Sequence, residues 1–445
     1  MRIKPPINLI KPSVKQLQKL HDRLLVEQTE RCQNEPIFDK QGNLYRFAEL
    51  LMQDNHLHTV ALPDNQGKLF KPTKCYICKQ PFVILHSFYH RLCPSCAEQN
   101  FAYRKQTADL TGRVALVTGG RIKIGFEIAL KLLRAGATVL VTTRFVQDAI
   151  RRYREQVDFD EWEHRLQIVG LDLKYPQSVE VFTEYVKTHF SSLDIIINNA
   201  TQTLRKPDSF YIYRATQEVV CLAQQKEFQY LLGNFSDNYL AVDLKNHAEQ
   251  AVIGYPKKQS QKVIPYSYAQ ALDEFSEPID FSAKNSWVKN LDEIGTLEML
   301  EAQLINATAP FIVNARLKSL MVKSPFSQRF IINVSAMEGQ FNRENKTHKH
   351  PHTNMAKASL NMMTRTSAQD YAQDQIYMNS VDTGWVTQEN PFAIRQQSRL
   401  NGMIPPLDCV DGASRVLAPI FDTLVNGQDL PKFGRFFKDY QSCEW

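Results

Sequence analysis

A short apolar run that ends at two glycines and restarts as a helix constrains this chain more than any other stretch. The run is Val114–Thr118, the glycines are Gly119 and Gly120, and Arg121, Ile122, Lys123, Ile124 and Gly125 lead into an amphipathic segment, Phe126–Ala135. Aliphatic and β-branched residues without alternation describe a parallel strand buried on both faces. The pattern therefore predicts a strand, a tight glycine turn and a helix whose N-terminus faces the turn. Free backbone N–H groups and the positive end of the helix dipole make such a turn an anion seat, most often for a dinucleotide pyrophosphate.

More strands are expected behind it. The helix ends at Gly136 and a second strand, Ala137–Thr143, follows. Its tip reads Thr143–Arg144, with no carboxylate to accept from ribose hydroxyls as an NAD-preferring site requires. A guanidinium there suits a 2′-phosphate, because its planar fork meets phosphate oxygens in pairs. Ile168–Leu173 and Leu193–Ala200 supply two further strands, ending in Asp172–Leu173 and Asn198–Asn199–Ala200. Strands alternating with helices in this way predict a doubly wound parallel α/β sheet, a Rossmann fold. From about Leu110 to the C-terminus the order of these elements closely resembles the short-chain dehydrogenase/reductase family.

The resemblance implies NADP(H)-dependent oxidoreduction of a small-molecule substrate. The family's turn is Thr-Gly-x-x-x-Gly-x-Gly. Thr118, Gly119 and Gly125 match it, while Lys123 stands at the middle glycine, where pteridine reductases of the same family also carry a basic residue. Its cation would attract phosphate; the opposing reading is that its bulk blocks the pyrophosphate. Arg121 and Ile124 complete the expected turn contacts, with Thr143 and Arg144 at the second strand tip. By the same resemblance Asp172 would accept from the adenine amine, Leu173 would pack beside the ring, and Asn199 and Ala200 would line the adenine-ribose side. Taken alone, Asp172 reads equally well as a strand-end carboxylate capping the next turn.

On the catalytic side, Asn306 in Leu304–Phe311 matches the family's catalytic-helix asparagine, which would hold a water in the proton relay. Ser335, closing the strand Arg329–Ser335, falls at the substrate-orienting serine. Lys357 in Pro351–Leu360 matches the lysine that bonds the nicotinamide ribose and, as a cation, lowers the pKa of a neighbouring acid. The family's tyrosine stands four residues earlier, one helical turn back on the same face. Here that residue is Thr353, a far weaker acid than a phenol with its pKa near 10. Enoyl reductases of the family place a tyrosine seven residues before the lysine, and here that residue is His350. Three readings stay open: His350 or His352 donates the proton; Thr353 and Ser335 only orient a substrate; or the site binds NADP(H) without turnover. His348, His350 and His352 alternate, but no acid or cysteine accompanies them as a metal site would require. Asn379–Thr387 matches the segment that touches the nicotinamide amide, with Gly384 inside it. Pro391–Pro406 would cover the substrate.

A second constellation precedes all this. Cys75–x–x–Cys78 and Cys93–x–x–Cys96 can place four thiolates tetrahedrally around Zn²⁺. Four thiolates leave no open position, so the metal would be structural. The apolar run Pro81–Tyr89 between them reads as a small hairpin, and Pro94 can open a helix. Seven Lys/Arg against one acid over residues 68–105 raise a nucleic-acid reading. The two net negative charges of a four-thiolate zinc site offset part of that excess, which favours a stabilising clip or subunit contact.

The expected domains are a helical accessory region over residues 1–70, the zinc module over 71–105, and the NADP-binding domain over 110–445. In the first, Ser13 caps a helix bearing Leu17, Leu20 and Leu24. The 105 residues separating Ala200 from Asn306 imply an insertion at about 205–284. A helix over Asp411–Val425, interrupted near Pro419, and an aromatic tail packing or contacting a second subunit complete the chain. The mild net charge of +6 does not by itself point to nucleic acid. No apolar run reaches a membrane-spanning length and no signal-peptide pattern opens the chain. The scattered cysteines suit a reducing cytoplasm.

Overall fold

A computed structural model describes residues 68–206, 210–211, 214, 272–343, 346–401, 403–427 and 431–445. The N-terminal helix and most of the insertion lie outside these residues. The described chain divides into two compact units, one holding residues 68–101 with 396–401 and 403–406, the other holding the remainder.

In the first unit β1 (Lys68–Lys74) pairs antiparallel with β2 (Pro81–Ile84), and α1 (Pro94–Lys105), whose last four residues belong to the second unit, begins at Pro94 as the sequence predicts. The hairpin differs from expectation. Its turn is the first cysteine pair itself, so β2 pairs with residues before Cys75 and not with residues toward Tyr89. A tight turn enforces this: Lys79 N–H donates to the Cys75 carbonyl at 3.1 Å, with Lys79 at φ +62°.

The second unit is built on an eight-stranded sheet in the order β10-β9-β8-β7-β6-β3-β4-β5. β3 (Val114–Thr118) lies between β4 (Thr138–Thr143) and β6 (Ile195–Asn198), so the strand order reverses at β3. β5 (Leu166–Gly170) flanks β4. On the other side β7 (Arg329–Ser335) and β8 (Ile376–Asp382) extend the parallel array. Open α/β sheets bind ligands beyond the carboxyl ends of the strands at such a reversal. β9 (Phe436–Lys438) runs parallel to β8 and β10 (Gln441–Cys443) turns back antiparallel, so the aromatic tail becomes the sheet edge. Phe436 and Phe437 are buried there.

β6, β7 and β8 are buried at every position, which is why their sequences lack the alternation of apolar and polar residues that a half-exposed strand shows. α2 (Lys123–Arg134) packs Ile128, Leu132 and Leu133 onto one face with α8 (Cys409–Val425) beside it. The other face carries α4 (Pro176–His189) and α6 (Ala309–Val322), which bury Val179, Val186, Val313 and Leu317. α8 runs unbroken through Pro419, contrary to the sequence expectation. Its buried face, including Val416, Leu417, Ile420 and Phe421, offsets the backbone bond that proline removes. No helix among the described residues is long and apolar enough to cross a membrane.

Candidate functional site

At the tip of β3 the chain turns on Gly119, at φ +72°. A Cβ on Gly119 would lie 2.9 Å from the Cα of Ala200, and one on Gly125 would lie 2.2 Å from the carbonyl oxygen of Gly119, so both positions exclude a side chain. Asn199 ties the turn to β6: its side-chain N–H groups donate to the carbonyls of Thr118 (3.1 Å) and Gly119 (3.2 Å). Thr118 Oγ1 accepts from the backbone N–H groups of Asn199 and Ala200, each at 3.1 Å.

Lys123 takes the middle position of the turn with φ +55°, the left-handed conformation a glycine would adopt without strain. Its ammonium lies 3.4 Å from Oε1 of Glu389 and 5.1 Å from the centre of the Phe275 ring. The charge therefore already has a carboxylate partner. Arg144, beyond β4, lays its guanidinium 5.5 Å from the Phe145 ring and 5.2 Å from that of Tyr211. Thr143 Oγ1 accepts from the Phe145 N–H at 3.1 Å, which fixes the direction of the strand tip. Arg121 is buried against Asp148 and Glu277. Asp172 Oδ1 accepts from the backbone N–H of Lys174 at 3.0 Å, the turn-capping geometry; Lys174 Nζ stands 3.7 Å from its other oxygen. Leu173 is buried beside it, and Ile124 is half-buried at the start of α2.

Two catalytic-side residues converge on consecutive positions of the loop after β6. Lys357, on α7 (Pro351–Gln373), donates to Thr201 Oγ1 at 2.9 Å and to the Val334 carbonyl at 2.7 Å. Asn306 accepts from the Gln202 N–H at 2.7 Å and donates to its carbonyl at 3.2 Å. Asn306 sits in a π-helical turn, Leu304–Thr308, between α5 (Thr296–Gln303) and α6. Such turns recur at functional sites. Burial pushes the Lys357 ammonium down to about 8, against the pull of Asp382 and Glu338. Asp382 also accepts from the Gly384 N–H at 2.7 Å, which shapes the loop following β8; Gly384 has φ +77°.

Ser335 does not join this group. Its Oγ bonds Asn361 Oδ1 at 2.6 Å, and Asn361 lies eight residues past Thr353 on α7, about 12 Å along the axis. Successive side chains of extended backbone point to opposite sides. The side facing away from Asn361 therefore belongs to Ala336, at φ −160°, which has no hydroxyl.

Thr353 is buried, and its Oγ1 donates to the His350 carbonyl at 2.9 Å and stands 3.3 Å from His350 Nδ1. His350 precedes α7 with φ +42°, stacks on Trp287 at 4.0 Å and 7°, and places Nδ1 3.0 Å from Asn354 Oδ1. It also lines a cavity of about 200 Å³ with Asn354, Glu338, Arg343 and Asn390. Burial, only partly opposed by Glu338, holds the His350 imidazole below its usual pKa. His352 turns instead toward Glu298, with Nε2 3.9 Å from Oε1. His348 is exposed, so the three histidines do not face one way. Lys357, Asn306 and His350 are residues that the family resemblance singled out; the stacking of Trp287 on His350 left no signal in the sequence.

In the smaller unit the four cysteine sulfurs lie within 4.8 Å of one another. They are the one cluster of three or more metal-ligating side chains found among the described residues. The Cys78–Cys93 separation of 3.7 Å matches the roughly 3.8 Å that tetrahedral Zn–S bonds of about 2.3 Å impose. Burial raises the Cys75 thiol, but N–H groups of Cys93, Cys78 and Ile77 outweigh it and bring the group to about 7. Burial and its thiol neighbours push Cys96 well up, a cost of ionisation that a bound cation would offset. The donor set fits Zn²⁺.

With this geometry in view the family can be stated. Residues 113–224 match the short chain dehydrogenase family model and residues 270–404 match the enoyl-(acyl carrier protein) reductase model, together more than half of the chain. This chain belongs to the short-chain dehydrogenase/reductase family. An uncharacterized protein of Acanthamoeba polyphaga mimivirus is 33% identical over 376 residues, covering 80% of this chain and 74% of that protein. (+)-Neomenthol dehydrogenase of Capsicum annuum is 40% identical over 91 residues, 20% of this chain and 28% of the plant protein. A carbonyl reductase from chicken fatty liver, with NADPH bound, superposes with a TM-score of 0.46 at 17% identity, over 76% of this chain and 100% of that one.

Proposed function

We propose that this short-chain dehydrogenase/reductase is an NADP(H)-dependent oxidoreductase that reduces a carbonyl or activated double bond, or runs the reverse oxidation, on a small-molecule substrate. The nicotinamide cofactor supplies or accepts the hydride. The chain's own residues do the remainder. The Gly119–Gly125 turn and the start of α2 receive the pyrophosphate, Arg144 meets the 2′-phosphate, and Asn199 and Ala200 flank the adenosine. Lys357 holds the nicotinamide ribose. His350 moves the proton, through its contact with Thr353, in place of the family's tyrosine; this is the chain's atypical feature. Asn306 keeps the relay aligned from its π-turn.

The observation that carries this reading is the convergence of Lys357 and Asn306 on Thr201 and Gln202, one helical turn from the Thr353–His350 pair. The test is NADPH consumption against aldehydes, ketones and enones, with Lys357→Ala as control. A second reading is a non-catalytic NADP(H)-binding scaffold, favoured by Thr353 and by Ser335 facing Asn361. Uniform inactivity together with tight cofactor binding selects it.

We further infer a structural zinc at Cys75, Cys78, Cys93 and Cys96, and a three-part chain of accessory region, zinc module and nucleotide domain. Free Cys409 and Cys443, with a thiolate metal site, favour a reducing cytoplasm.

A further inference from the structure

The end of the insertion lies against the glycine turn. Residues 272–279 close on themselves: Leu272 bridges Pro278, and the Asp273 N–H donates to the Glu277 carbonyl at 2.8 Å. Asp273 Oδ1 accepts from the N–H groups of Phe275 (2.9 Å) and Glu277 (3.0 Å), and Ser276 takes φ +57°. Phe275 faces the Lys123 ammonium. Glu277, 8% exposed, accepts from Arg121 Nη1 at 2.7 Å and from Arg214, with Arg152 Nη2 at 3.6 Å. Asp148 completes the cluster, bonded to Arg121 and to Arg152 at 2.8 Å.

Arg121 belongs to the glycine turn, while Asp148 and Arg152 belong to α3 (Val146–Arg154), the helix after the β4 tip. The cluster therefore stands between the first two strand tips. Under the cofactor reading above, on which this inference rests, the adenosine ribose lies there. Arg151 also bonds Asp148 at 2.9 Å but is matched by Glu155 at 2.6 Å; that leaves three guanidiniums, those of Arg121, Arg152 and Arg214, facing two carboxylates, and two buried N–H positions, Arg152 Nη2 and Arg214 Nε, have no hydrogen-bond acceptor. With Glu277 turned out, the guanidiniums would exceed the remaining carboxylate by two charges, the complement of a phosphate dianion.

We propose that Glu277 occupies the seat of the cofactor's 2′-phosphate, so that NADP(H) binds only by displacing it. The insertion then sets cofactor affinity from within the chain, as a carboxylate in competition with a phosphate. A cofactor without the 2′-phosphate gains nothing from that displacement.

The test is calorimetric titration of the full chain, metal-loaded, with NADPH, NADH and 2′,5′-ADP. If the seat is filled about nine-tenths of the time, Glu277→Gln tightens NADPH and 2′,5′-ADP by about tenfold and leaves NADH unchanged. Asp273→Ala, which loosens the turn and leaves the guanidiniums intact, should move affinity in the same direction and carries the test if Glu277→Gln does not fold. NADPH binding to wild type with equal or weaker binding to the variants overturns the displacement and leaves the cofactor reading standing. No binding of any nucleotide to wild type or variants overturns both.

Discussion

The hydroxyl of Thr353 stands 3.3 Å from Nδ1 of His350, across the first turn of α7. A threonine hydroxyl is a poor acid, but one replenished from an imidazole N–H can relay, and Asn354 Oδ1, an acceptor 3.0 Å away, keeps that hydrogen on Nδ1. His350→Gln is expected to lower kcat by about 10² or more, the usual contribution of a positioned acid–base group, with little change in cofactor affinity. His352→Gln, turned toward Glu298, should leave kcat within about threefold of wild type. Steady-state kinetics on any accepted carbonyl decide this, and equal losses in the two variants would remove His350 from the relay.

The same imidazole sets a pH dependence of opposite sign in the two directions. Burial holds His350 below its ordinary pKa, so the ring is neutral at pH 7. Reduction needs its protonated form and should rise as pH falls through that lowered value. Oxidation needs the neutral form and should fall over the same range. Profiles of kcat in both directions, with His350→Gln flattening each acid limb, provide the check.

Much of this was legible because strands buried on both faces announce themselves as unbroken apolar runs. β3 and β7 begin at Val114 and Arg329 as expected, and β6 (Ile195–Asn198) lies inside the expected Leu193–Ala200. The same property left the direction of the Ser335 side chain open. Where every position is buried, periodicity cannot say which face a side chain takes, and in the structure the Ser335 hydroxyl bonds Asn361. Arg121 and Glu277 meet across 156 residues, and nothing local in either segment encodes that pairing. The clustering of the four cysteines was legible but the strand pairing beside it was not, because the partner of β2 precedes the first cysteine.

Arg144 supplies a specificity prediction. Charge-assisted bonds to phosphate contribute roughly 1.5–3 kcal/mol each. Arg144→Gln should therefore weaken NADPH by about tenfold to a hundredfold and barely alter NADH. Comparative titration measures it. Equal weakening of both nucleotides would assign the arginine to general positioning and not to the 2′-phosphate.

For the smaller unit, metal analysis of the purified chain should find about one zinc per chain, the stoichiometry of a closed four-thiolate site. Cys78→Ser or Cys96→Ser should lower that content and expose α1 to protease, since metal binding and folding are linked in such modules. Full zinc retention in both variants would place the metal elsewhere.

Lys357 carries a cost that its site imposes. In the folded chain burial brings its ammonium to about 8, below the ordinary lysine value near 10.4. Between these values the unfolded chain binds more protons, so stability should rise with pH over that window. Below pH 8 the full penalty applies, up to about 3 kcal/mol at 1.36 kcal/mol per unit. Lys357→Met keeps the stem and removes the charge, but leaves the Val334 carbonyl without its 2.7 Å donor, which returns about 1–3 kcal/mol. The variant should therefore be inactive yet no less stable at pH 7, and the slope of its melting temperature between pH 8 and 10 should flatten relative to wild type. A large loss of stability would mean that the lysine holds the loop after β6 in place, and its positioning of the cofactor would then be inseparable from folding.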